Sequence, residues 1–197
     1  MRKSELFELI RQINTIASDE LPIIVGSQAV HLVTNFPPEI IQQSIECDFL
    51  LVKGKSETRT EINKKLGVFS HFQIEKGFYA DALGIATVIL PTNWQKRLQP
   101  FKDENGETIA LVAEIHDIAV SKLIAGREKD YLFLKELFLR EFIEIDVFIE
   151  RVLLVKEMPQ SSILAERLEN LEKFLEKDLS AKINELLKVL INHRSKL

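Results

Sequence analysis

The chain has 197 residues, 46% hydrophobic and 28% charged, which suffices for one sizeable core with a helical extension but not for three domains. A formal net charge of −4 argues against binding nucleic acid through a broadly basic surface. The single cysteine, Cys47, excludes an intramolecular disulfide and a cysteine-based zinc cluster. No apolar run reaches the roughly 18 residues that cross a bilayer, so we expect a soluble cytoplasmic protein that binds no membrane.

Hydrophobic periodicity predicts alternating helices and strands through about residue 115 and only helices after it. The predicted elements are a helix over 6–17, a strand over 21–25, a short helix over 28–33, a strand over 45–52, a helix over 58–66, strands over 68–74 and 78–90, a short helix over 91–98 and a strand over 109–115. The T-x-x-E spacing of Thr58 and Glu61 predicts a capping box, and Asn105-Gly106 predicts a tight turn.

The second half of the sequence is rich in Leu, Glu, Lys and Ile. Asp117 has the position of a helix cap, and breaks are predicted at Gly126 and near Pro159. Apolar stripes over 163–175 and 179–190 predict packed helices with one solvated face. We therefore predict an α/β (α+β) fold, in which a small mixed sheet flanked by helices over 1–115 precedes a helical bundle over 116–197.

The first candidate for chemistry is Gly26-Ser27, which lies between a predicted strand and a predicted helix. Glycine lets the backbone approach a ligand closely, and the start of a helix offers N–H groups to an anion such as phosphate. Many Gly-Ser pairs only turn the chain and cap a helix, and this structural role is the alternative here.

The second candidate is the pair of acids in Glu46-Cys47-Asp48. Side chains two apart on a strand share a face, about 6–7 Å apart at the backbone. Two like charges beside apolar neighbours are costly unless a cation or a strong donor pairs with them, and carboxylate oxygens suit Mg²⁺ or Mn²⁺. The alternative is an edge strand whose acidic face meets water.

The third candidate is the segment 117–130, DIAVSKLIAGREKD. Lys122 lies along a predicted helix, and Arg127, Lys129 and Asp130 follow the predicted break at Gly126. Charges gathered at a break between helices either meet a phosphate or form an ordinary solvated surface, and the sequence leaves both open.

In order and spacing, these motifs together resemble the DNA polymerase β-type nucleotidyltransferases. The signature is a Gly-Ser turn and helix, followed by a strand such as Ser44-Ile45-Glu46-Cys47-Asp48. The later segments FYADALGIATVILPTNWQKRL and HDIAVSKLIAGREKD are similar to one branch of that superfamily, the small bacterial proteins related to the AbiEii toxins of abortive-infection toxin–antitoxin systems. The resemblance covers roughly residues 20–140.

The resemblance implies a role for each matching residue. The implied roles are nucleotide binding for Gly26, Ser27, Lys122 and Arg127, metal binding for Glu46, Asp48 and Asp81, and catalysis for Glu46, Asp48, Lys122 and Asp130. It also implies an activity: transfer of a nucleotidyl group from an NTP to an acceptor, with Mg²⁺ or Mn²⁺ as cofactor. RNA and protein are the candidate acceptors, and an antitoxin protein is the candidate partner.

Two other hypotheses stay open. Glu46 stands where the superfamily usually has Asp, which supports a catalytically inactive nucleotidyltransferase fold that binds nucleotide or a protein. Alternatively, the helical half is a protein-interaction module and carries the function itself.

Overall fold

The computed structural model describes residues 1–155 and 161–194 of the chain. It confirms the predicted fold class, because these ranges contain a five-stranded mixed sheet and helices. The chain forms two compact units, which we call the sheet unit (Met1–Val88 with Trp94–Glu114) and the helical unit (Ile89–Asn93 with Ile115–Leu197). Within the described ranges, no helix combines the length and the apolar character that crossing a membrane requires.

The sheet unit contains all five strands of the described chain. Its elements are α1 (Lys3–Ile16), β1 (Ile23–Ile24), a 3₁₀ helix (Ser27–Leu32), α2 (Glu39–Gln42), β2 (Glu46–Leu50), α3 (Ser56–Leu66), α4 (His71–Lys76), β3 (Tyr79–Leu83), β4 (Gln99–Lys102) and β5 (Thr108–Val112), with two further 3₁₀ helices at Ile85–Thr87 and Trp94–Arg97. The strand order is β3-β2-β1-β5-β4, so β2 is an interior strand. Strand β1 is antiparallel to β2 and parallel to β5, and β2 is parallel to β3.

Helix α1 forms because its apolar residues recur three and four positions apart, which places them along one face. It buries Leu6, Leu9, Ile10 and Ile13 completely. Along β3 and most of β2, residues alternate between a buried side and a half-buried side, as strand geometry requires. The buried side of β2 and β3 carries Cys47, Phe49, Ala80 and Ala82.

The predicted strand over 68–74 is wrong, because helix α4 occupies most of that segment. The Ser70 side chain accepts a hydrogen bond from the Gln73 N–H at 3.2 Å and so caps the helix start. Gly77 ends the helix in the left-handed conformation, with φ of 81°. These two local signals outweigh the β-type residues Val68 and Phe69 that suggested a strand.

Three other predicted boundaries need correction. Helix α3 begins at Ser56 after Lys55, so Thr58 lies inside the helix and forms no capping box with Glu61. The predicted strand over 78–90 ends at Leu83 and gives way to a 3₁₀ helix. Strand β4 was not predicted; it contains Pro100, and proline is tolerated there because β4 is an edge strand. The turn at Asn105-Gly106 is confirmed, with Gly106 at φ 82°.

The helical unit begins with two helices that meet at a sharp break. Its elements are α5 (Ile115–Ala125), α6 (Glu128–Leu139), α7 (Ile145–Leu153), α8 (Ser161–Glu172) and α9 (Lys177–Arg194). Asp117 is not a cap, because α5 begins two residues before it; its side chain is buried, and one carboxylate oxygen lies 3.5 Å from Arg151 Nε. The break at Gly126 is confirmed, and the one predicted near Pro159 lies outside the described residues.

Candidate functional site

Four polar side chains share one side of strands β2 and β3. The parallel register sets Glu46 beside Tyr79 and Asp48 beside Asp81. All four are half-buried, whereas the residues between them are buried on the other side of the sheet. We call this cluster of Glu46, Asp48, Tyr79 and Asp81 the acidic face. Since β2 is interior, the alternative of an acidic pair on an edge strand is wrong.

The acidic face raises the pKa values of two of its side chains. Partial burial, and then the negative charge of Glu46, raise the pKa of Asp81 above its ordinary value. The Tyr79 hydroxyl donates a hydrogen bond to Glu46 Oε2 at 3.0 Å. Burial, this hydrogen bond and the neighbouring carboxylates raise the pKa of Tyr79 to about 12, so Tyr79 is a neutral donor at physiological pH.

The Gly26-Ser27 turn lies directly against Asp48. A Cβ atom on Gly26 would come within 2.8 Å of Asp48 Cβ and 2.9 Å of Asp48 Cγ, with Asp48 Oδ2 closer still. The Val25 N–H also donates to the Asp48 carbonyl oxygen at 3.0 Å. Only glycine leaves room for this approach, and the structure therefore brings the predicted anion-binding turn next to the predicted metal-binding strand.

Two side chains tie the turn to the strand. The Ser27 and Ser44 hydroxyls are hydrogen-bonded at 3.1 Å. The Gln28 amide Nε2 donates to the carbonyl oxygens of Ser44 and Glu46 at 3.2 and 3.3 Å. Sequence reasoning missed Gln28, and nothing in the sequence separates it from a surface glutamine. Tyr79 was also missed, although its spacing of two from Asp81 on a strand would have placed both on one face.

The acidic face has a donor set that suits a hard divalent cation. Mg²⁺ is usually bound by one or two protein carboxylates, with substrate phosphates and water completing its coordination. Glu46 and Asp48 supply such a pair next to Gly26, and a bound cation would offset the negative charge of Glu46, which together with partial burial raises the pKa of Asp81. Among the described residues, no three His, Cys, Asp or Glu side chains are grouped to hold a metal ion, so Asp81 as a third ligand stays a prediction.

A second cluster of predicted site residues lies within the helical unit. Asp130 is 1% exposed in the first turn of α6. Its carboxylate accepts hydrogen bonds from Arg127 Nε at 2.7 Å and from the Arg127 backbone N–H at 3.2 Å. Lys122 is 9% exposed, and its Nζ lies 3.6 Å from Asp130 Oδ1. Lys122 and Asp130 are therefore not part of a solvated surface. Asp130 pairs with the cationic side chains of Lys122 and Arg127. Contact of these two cations with a phosphate stays a prediction.

Comparison with known proteins gives a family assignment. A family model described as a nucleotidyltransferase of unknown function (DUF6036) matches residues 4–182, which is nearly the whole chain and includes every predicted site residue. No curated protein and no solved structure matches the chain. The chain belongs to this family of nucleotidyltransferases of unknown function.

Proposed function

We propose that the chain transfers a nucleotidyl group from an NTP to an acceptor hydroxyl. The observation that carries the proposal is the contact between Gly26 and the Asp48 side chain, because a metal-bound triphosphate needs carboxylates and an anion-binding backbone at the same place. Glu46 and Asp48 would hold Mg²⁺ or Mn²⁺, with Asp81 as a third candidate ligand. The bound cation would neutralise charge on the phosphates and lower the pKa of the attacking hydroxyl.

The chain's own residues have separate tasks in this proposal. The backbone at Gly26 and Ser27 binds the triphosphate, and the buried Gln28 holds that turn against β2. The resemblance assigns Lys122 and Arg127 the task of offsetting negative charge on the phosphates, and within the helical unit Asp130 pairs with both side chains. The acceptor hydroxyl releases its proton to water, its oxygen forms a bond to the α-phosphorus, and the bond from that phosphorus to the leaving pyrophosphate breaks.

The resemblance to the AbiEii branch extends the proposal to the acceptor and the partner. We propose that the acceptor belongs to the RNA or protein pool, and that the protein is a toxin neutralised by an antitoxin protein.

The second candidate function is a catalytically inactive fold that binds a nucleotide or a protein. It is supported by Glu46, because the extra methylene relative to the usual Asp moves the carboxylate and changes where a metal ligand sits.

Labelled nucleotides separate the two candidates. The protein is incubated with Mg²⁺, total cellular RNA and protein, and each NTP labelled at either the α- or the γ-phosphate. Nucleotidyl transfer moves the α-label and releases the γ-label with pyrophosphate, so we expect label in one pool from the α-labelled NTP only. A γ-label in the pool would instead indicate phosphoryl transfer, and no label from any NTP would favour the inactive fold.

A further inference from the structure

Tyr79 makes a contact that the proposed transfer chemistry does not itself require. Its side chain lies beside Glu46 in the parallel register of β2 and β3. The hydroxyl reaches the end of the Glu46 side chain and donates to Oε2 at 3.0 Å. Both residues are half-buried on the acidic face.

The contact matters because Glu46 is longer and more mobile than an aspartate. A glutamate loses more rotamer freedom when it is fixed than a shorter side chain does. A hydrogen bond to one carboxylate oxygen fixes the side chain in advance, and partners of metal-binding carboxylates commonly set their orientation. The carboxylate of an aspartate at position 46 would end about 1.5 Å nearer the backbone and so lose the Tyr79 hydroxyl as a partner.

We infer that Tyr79 is a positioning residue, which holds the Glu46 carboxylate where it serves as a metal ligand. The inference rests on the proposed function. It also explains how a glutamate replaces the usual aspartate without loss of the site. The extra methylene brings the carboxylate within hydrogen-bond distance of the Tyr79 hydroxyl on the neighbouring strand, and this hydrogen bond fixes its position.

Mn²⁺ binding to the full-length protein, followed through the electron paramagnetic resonance signal of the free ion, tests this inference without any turnover. Tyr79→Phe removes the hydroxyl and keeps the ring, and we expect it to weaken Mn²⁺ binding about tenfold, the usual scale for losing a ligand's hydrogen-bond partner. In a Glu46→Asp background, the same substitution should change the affinity by less than about twofold, because the hydrogen bond is already lost.

The chain offers a matched control in its other tyrosine. Tyr131 is buried, and its hydroxyl has no hydrogen-bond partner among the described residues, so Tyr131→Phe should leave Mn²⁺ affinity unchanged. Melting of each variant without metal checks that it is folded.

The possible failures are distinguishable. If the wild type binds Mn²⁺ and Tyr79→Phe binds it equally well, the inference is overturned and the proposed function survives. An equal loss in the Glu46 and Glu46→Asp backgrounds would also overturn it, because the effect would then not pass through Glu46. If the wild type binds no Mn²⁺, both the inference and the proposed metal site fall.

Discussion

Position 26 requires a glycine because the Asp48 side chain lies against it, and not because of its own backbone angles. Its φ of −104° is open to any residue, but a Cβ there would collide with the Asp48 side chain. We expect Gly26→Ala to displace that carboxylate, to lower the free energy of unfolding by about 1–3 kcal/mol and to weaken Mn²⁺ binding. Urea unfolding and a Mn²⁺ titration measure the two effects.

Gly84→Ala is the matched control for Gly26→Ala. Gly84 has φ of −80°, and a Cβ at that position meets nothing within 4 Å. Its free energy of unfolding should therefore stay within about 1 kcal/mol of the wild type, or rise slightly through a restricted unfolded chain. Equal effects of the two substitutions would contradict the role assigned to the Asp48 contact.

His31 gives the sheet unit a pH dependence. Burial lowers the pKa of His31 from 6.5 to about 4, so between these values the unfolded chain binds a proton that the folded chain does not. Stability should fall as pH drops through this window, by about 3 kcal/mol at most. His31→Gln should flatten that part of the curve of unfolding free energy against pH.

His71→Gln is the control for His31→Gln, because the His71 side chain is 92% exposed. It should leave the curve as in the wild type. If His31→Gln keeps the full wild-type slope between pH 6.5 and about 4, His31 is not the group responsible.

The acidic pair was the part of the site most accessible from sequence. Period-two alternation alone puts Glu46 and Asp48 on one face, and the structure shows that their strand is interior. The contacts that hold the pair in place were out of reach, because they join residues far apart in sequence: Tyr79 with Glu46, and Gln28 with Ser44. Such contacts depend on strand order and register, which periodicity does not specify.

At the scale of elements, the junction between α5 and α6 depends on one buried carboxylate. Asp130 is engaged by Arg127 and lies 3.6 Å from Lys122 Nζ. Asp130→Asn removes the negative charge that lies 3.6 Å from Lys122 Nζ, and the Lys122 side chain is buried. We expect it to lower the free energy of unfolding by about 2–3 kcal/mol, measured by denaturant unfolding.

A second ion pair of helix α6 provides the control for Asp130→Asn. Glu136 pairs with Arg140 through a 3.0 Å contact between side chains that are 20% and 49% exposed, so Glu136→Gln should lower the free energy of unfolding by no more than about 0.5–1 kcal/mol. If Asp130→Asn and Glu136→Gln lower the free energy of unfolding equally, the contacts of Asp130 do not stabilise the junction between α5 and α6.

The sequence predicts an element well where one hydrophobic period continues over several turns. It predicts an element poorly where short local signals determine the secondary structure. The stripe of α1 was sufficient for its prediction. Helix α4 has only six residues and no buried side chain, so it has no stripe to detect, and the Ser70 cap and Gly77 define it instead. Strand β4 is short and contains Pro100, which counts against a strand in any sequence reading.

At the scale of the whole molecule, the fold class and the family rest on different features. The change from alternating strands and helices to helices alone is a property of long stretches, and it predicted the fold class correctly. The family model extends across nearly the entire chain, so membership does not depend on any single motif.

The most direct measurement compares Asp48→Asn with the wild type in two assays, metal-free melting and transfer of an α-labelled nucleotide. Asp19→Asn, an exposed aspartate in the sheet unit, serves as the control and should behave as the wild type in both. We predict that Asp48→Asn melts at or above the wild-type temperature, because it removes a negative charge from the acidic face, and that it loses transfer. A less stable variant with normal transfer would contradict the account and make Asp48 a structural residue.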